Sequence, residues 1–145
     1  MGTQSHNTIM LGNNNQMLKG ARFMWFYWSQ ALKASIQELD DSYCFSGVVS
    51  CFRQLGHDIA HSRKIIKKKN APEWMVEDIV LNKPQGSKIR QLWHTQSSRI
   101  DFKSVSHNYI SSKGMCSEYY GQKKENKEIE FISDSESITT IIQVI

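Results

Sequence analysis

The sequence predicts an all-α fold, a four- to five-helix bundle with a short β-like carboxy-terminal extension. Three observations predict it. Apolar residues recur at helical spacing through residues 18–39. Only two prolines, Pro72 and Pro84, interrupt 145 residues, which leaves long stretches open to helices. Wound at about 3.6 residues per turn, the stretch 51–69 places Phe52, Leu55, Ile59 and Ile66 on one side, and Arg53, His57, His61, Lys64 and Lys68 on another.

Residues 1–17 are polar, and Gly12-Asn13-Asn14-Asn15 reads as a loop in a flexible amino-terminal segment. The first helix is expected over 18–39, with Leu18, Ala21, Trp25, Trp28, Leu32, Ile36 and Leu39 in register. Phe23, Phe26 and Tyr27 widen its apolar surface, so it belongs at the centre of the bundle or at a subunit contact. Asp40-Asp41-Ser42 ends it and offers caps to a second helical stretch over 43–69, with a break near Ser46-Gly47 and an easing at Gly56. Lysines 67 to 69 suit the negative pole of that helix. A third follows Pro72 over 73–81 with acids in its first turns, and Ser87 caps a fourth through Gln96. The bundle domain is thus 18–110. Residues 111–145 form a polar linker and a tail in which Glu128–Ser133 and Ser137–Ile145 alternate like two short strands.

Composition narrows the function classes. A 39% hydrophobic fraction with four Trp argues against a disordered chain. The net charge of +4 favours anionic partners or simply serves solubility. Cys44, Cys51 and Cys116 are odd in number and lack C-x-x-C spacing. With no basic start or apolar leader at the amino terminus, free thiols in a reducing, cytoplasmic setting are expected. The apolar cluster at 23–28 is far too short to span a membrane. Walker A, G-x-G-x-x-G and G-x-S-x-G patterns are absent.

The order of words along the chain supplies a resemblance. Gln30-Ala31-Leu32-Lys33-Ala34-Ser35, a spacer, then Gly56-His57-Asp58-Ile59, with Ser98-Arg99-Ile100-Asp101 near the end, resembles the HEPN superfamily over 18–105. The resemblance implies a dimeric helical bundle with a cleft for RNA or nucleotide, in a toxin–antitoxin or antiviral defence setting. Active members are metal-independent ribonucleases with an Arg and a His brought together across the dimer. This chain departs from their spacing, because only three residues separate Arg53 from His57, and Arg90 from His94.

On that reading the catalytic candidates are Arg53, to hold a phosphate, and His57 and His61, to move a proton near neutral pH. Asp58 would orient a histidine, while Lys64, Lys67, Lys68, Arg90 and Arg99 would extend a nucleic-acid track. No cofactor and no metal is called for. The competing metal reading takes His57 and His61 as ligands one turn apart, close to H-E-x-x-H or to the centre of HD phosphohydrolases, but signals no third ligand. The remaining alternatives are a nucleic-acid binder without catalysis, and a catalytically inactive helical assembly protein with structural histidines. The latter would meet a second copy or a protein partner through the aromatic helix or the tail.

Overall fold

Burial along this chain alternates with period two rather than 3.6. In the segment Glu73–Leu81, Val76, Asp78 and Val80 are buried while their neighbours are more exposed, the signature of a half-buried strand. The computed structural model describes residues 2–107, 109–117, 119 and 121–145. Apart from a single 3₁₀ turn at Thr3–Ser5, every regular element among them is a strand. These are β1 (Ile9–Leu11), β2 (Leu18–Lys19), β3 (Trp25–Phe26), β4 (Gln30–Glu38), β5 (Ser42–Ser50), β6 (Ala60–Lys68), β7 (Glu73–Leu81), β8 (Ile89–Thr95), β9 (Ile100–Ser104), β10 (Tyr109–Cys116), β11 (Lys124–Ser133) and β12 (Ser137–Val144).

Two antiparallel sheets carry the fold. One has six strands in the order β4-β5-β6-β7-β12-β9, the other four in the order β1-β8-β11-β10, and β2 and β3 form a separate hairpin. The facing sides enclose Ile9, Leu11, Val76, Val80, Ile89, Trp93, Phe102, Ile129, Phe131 and Ile138. Strand pairing explains the partition: Phe131 lies opposite Gln91 and Tyr109, and Ile129 opposite Trp93, so these residues all point inward. The six-stranded sheet is wider than its partner. At its overhanging edge, β4 shows no buried residue, and Ile36 is 76% exposed.

The helical bundle is therefore overturned, and with it the helix-based interpretation of every segment. Residues 18–39 are the β2–β3 hairpin and the edge strand β4, and 43–69 are β5, a folded turn and β6. The aromatic run is no helix stripe: Phe23 is 94% and Trp28 66% exposed in and after a tight hairpin closed by Gly20 N–H to Met24 O. The helix face through which a second copy or a partner was expected to dock is therefore replaced by a hairpin and the segment after it. Helical periodicity arose by coincidence across the β2–β3 hairpin, β4 and their flanks, where Leu18, Trp28, Leu32, Ile36 and Leu39 are all exposed and no burial enforces alternation. The two strands expected at the carboxy terminus are present, but β11 and β12 lie in the interior of their sheets rather than in an appended tail. Cys44, Cys51 and Cys116 are all free thiols. Among the described residues no helix is long and apolar enough to cross a membrane.

Candidate functional site

Two polar features lie at one end of the wider sheet, one inside the sandwich and one at its mouth. The inner one starts from β6, where alternation turns His61 and Arg63 inward, and from β7, where Asp78 lies opposite Arg63. Asp78 is fully buried. Its carboxylate receives His61 Nε2 at 2.6 Å, Arg63 Nε at 2.7 Å and Nη2 at 2.8 Å, and Gln91 Nε2 from the opposite sheet at 2.7 Å. Because an ionised carboxylate only accepts, His61 Nε2 carries a proton. Gln91 Oε1 in turn accepts from Trp93 Nε1 at 3.2 Å and from Thr140 Oγ1 on β12.

A buried carboxylate is costly unless paired and hydrogen-bonded, and this one is both. Burial alone would push the Asp78 carboxyl up, but hydrogen bonds and charge from Arg63 and His61 outweigh it and hold the group well below the usual carboxylate range. Arg63 also donates to Asn7 O at 2.7 Å and sits 5.3 Å from the centre of the Trp93 ring. The network is satisfied at every member named, which marks it as a fixed brace between the sheets.

The outer feature is the turn from Cys51 to Ile59 that joins β5 to β6. Phe52 sits at φ +55°, a conformation that L side chains seldom adopt, and reverses the chain there. Its N–H donates to Gln16 O at 2.8 Å, Gln54 Nε2 to Asn15 O at 2.6 Å and Asn82 Nδ2 to Asp58 O at 2.8 Å. Phe52 and Cys51 are fully buried, so the turn is pinned from beneath. Burial pushes the Cys51 thiol up to about 12, against a backbone hydrogen bond at His61, which leaves it unreactive at neutral pH.

What the pinned turn presents is a cleft of about 360 Å³ lined by Gln30, Arg53, His57, Asp58 and Ala60 among others. Arg53 is half-buried, and His57 and Asp58 are exposed. Among the described residues neither Arg53 nor His57 has an ion-pair partner. A guanidinium, an imidazole and an amide thus share one rim with the Asp58 carboxylate, and the guanidinium, which carries no ion pair among the described residues, is the group suited to receive an anion.

The structure separates the other residues singled out in the sequence. His61, one residue beyond the cleft, points into the core and cannot join His57 at a substrate. In a strand, neighbours face opposite sides, so the expected basic track dissolves. Lys64 lies opposite Glu77 on the outer side of the sheet, and Lys67 crosses to the inner side over the Trp74 ring at 4.8 Å. Lys68 pairs with Glu73, and Arg90 with Glu130 on the other sheet. Arg99 Nε donates to Ile145 O at 3.1 Å. Among the described residues no three His, Cys, Asp or Glu side chains gather as a metal site. Sequence reasoning missed Asp78, Arg63 and Gln91. The period-two series His61, Arg63, Ile65 was the available signal.

Comparison with known proteins agrees with the fold. The family model described as heparinase II/III-like, C-terminal, matches residues 1–141. A solved heparinase III gene product with methylated lysines superposes with a TM-score of 0.70 at 15% identity, and a second heparinase III with 0.67 at 12%. Each match covers 99% of this chain and 24% of the other, so the chain spans about a quarter of the length of those proteins. None of the curated proteins matches it in sequence. These findings overturn the HEPN resemblance, and with it RNA or nucleotide as partner, ribonuclease activity, the toxin–antitoxin and defence setting and the helical assembly protein.

Proposed function

Since the chain belongs to the heparinase II/III-like C-terminal family, we propose that it is the β-sandwich module of a polysaccharide-processing protein, and that the mouth at Arg53 and His57 meets an acidic polysaccharide. The observation that carries this reading is the rim of that cleft, where Arg53 and His57 line one opening with Gln30 and where Asp58, on the same rim, forms no ion pair with either of them. A guanidinium forks onto sulfate or carboxylate oxygens while an imidazole and an amide supply directed hydrogen bonds. His61 has a positioning part: its bond to Asp78 anchors the start of β6, next to Ala60 in the cleft lining.

Retention of the purified chain on immobilised heparin along a salt gradient tests the reading. Arg53→Ala should elute at lower salt than the unaltered chain, with affinity reduced about fivefold, the ~1 kcal/mol of one exposed charge contact. Arg99→Ala, distant along the strands and tied to the carboxy terminus, should elute with the unaltered chain. Equal retention of the Arg53 variant and the unaltered chain would sink the proposal.

A further inference from the structure

The outer side of the four-stranded sheet carries a second cleft that the preceding reading does not use. It encloses about 310 Å³ and is lined by His94, Asn126, Glu128, Met115, Ser117 and Lys123 among others, within the size range of small-ligand sites. The strand register brings these groups together: Glu128 lies opposite His94 on β8 and opposite Ser112 on β10, and Asn126 lies opposite Gly114. Gly114 matters to the arrangement because a Cβ there would stand 2.0 Å from Glu128 Oε1. The glutamate therefore folds across the sheet through the space that this glycine leaves.

The polar atoms in the cleft have an excess of acceptors. Asn126 is 8% exposed, and its side-chain oxygen is buried without a hydrogen-bond partner, a state that ordinarily costs ~1–3 kcal/mol. His94 takes its orientation from Asn7, whose Oδ1 accepts from the His94 backbone N–H at 2.8 Å and lies 3.1 Å from Nδ1. An amide oxygen only accepts, so Nδ1 carries a proton, and in the neutral form of such a ring Nε2 is an acceptor. Nε2 is 3.7 Å from Glu128 Oε1, beyond hydrogen-bond distance. The lining thus holds a carboxylate, a ring nitrogen and, buried just behind its surface, an amide oxygen without a donor.

We propose that this cleft binds a neutral, hydroxyl-rich sugar unit. Adjacent sugar hydroxyls supply the donors that Asn126 and Glu128 lack. Lys123 donates to a ring or hydroxyl oxygen, and Met115 offers an apolar surface to the C–H face. The Glu128 carboxylate disfavours a sulfated unit and Lys123 disfavours an amine, so the ligand differs in charge from the polymer proposed for the Arg53 mouth.

Titration of the full chain with cellobiose, followed by NMR at the His94 ring and the Asn126 side-chain amide, tests the site. Saturable shifts at both groups are expected in the unaltered chain and in Arg53→Ala. Glu128→Ala should weaken binding at least tenfold. Gly114→Ala, which keeps the carboxylate but must displace it, should do the same, with the fold of both variants checked by the dispersion of their amide spectra. Shifts that lie elsewhere, shifts that neither variant alters, or an ordered water at Asn126 that cellobiose does not displace would each overturn the proposal. The Arg53 reading rests on heparin retention, so the two can fail separately.

Discussion

Asp78 shows how one side chain can organise its surroundings. It accepts hydrogen bonds from two residues of its own sheet and one of the opposite sheet, and removing its charge would leave Arg63 without a counter-ion in a site only 18% exposed. Asp78→Asn should therefore lower unfolding stability by ~3–5 kcal/mol in urea titration, the range for breaking a buried pair from one side. The pH dependence has a definite sign. The native carboxyl is held below its ordinary value, so its contribution is complete above about pH 4 and is lost as pH falls toward the depressed native value. Urea midpoints measured from pH 6 downward should fall in the unaltered chain, and this component should be missing from the variant. At the same scale, the sequence set Arg53 beside His57 as i,i+4 on a helix, whereas both line one cleft because the turn between β5 and β6 reverses the chain. That His61 leaves the pair was not legible, because it follows from strand alternation, which a helical reading conceals.

Among the elements, β4 was read as the end of a helix for a physical reason. Its apolar residues follow no inward pattern because no sheet lies over it, and Leu32, at a register shift against β5, sits outside the regular alternation. By contrast, β11 and β12 were legible because both faces of each experience different surroundings, and selection for a buried face leaves β-branched residues at every second position. Strands β7 and β8 carried the same alternation, but acids in Glu73, Glu77 and Asp78 imitated the first turn of a helix. β4 also leaves one row of backbone groups unpaired beside exposed Leu32 and Ile36, the arrangement that invites edge-to-edge association. Ile36→Lys should reduce concentration-dependent light scattering without shifting the thermal midpoint by more than a few degrees, since the side chain is already in water. A variant that scatters as strongly as the unaltered chain would mean that association occurs elsewhere.

Consecutive hairpins build β4 to β7, but the sandwich is closed by partners distant in the chain. β1 pairs with β8 some 80 residues later, and β12 completes the six-stranded sheet between β7 and β9. No short segment can bury its own apolar face, so folding must close long loops before contacts reward them. Stopped-flow refolding should accordingly give a main phase in the millisecond-to-second range rather than the microseconds of a helical bundle. The closing pairs were also hidden, since register between segments so far apart leaves no local trace. The amide of Gln91 has a mechanical meaning. Apolar layers resist separation but tolerate sliding, because their attraction has no direction. A side chain that donates to Asp78 and accepts from Thr140 across the interlayer gap fixes both direction and distance. It works as a dowel, so a load applied along the strands would peel β4 from its edge before one layer could shear over the other.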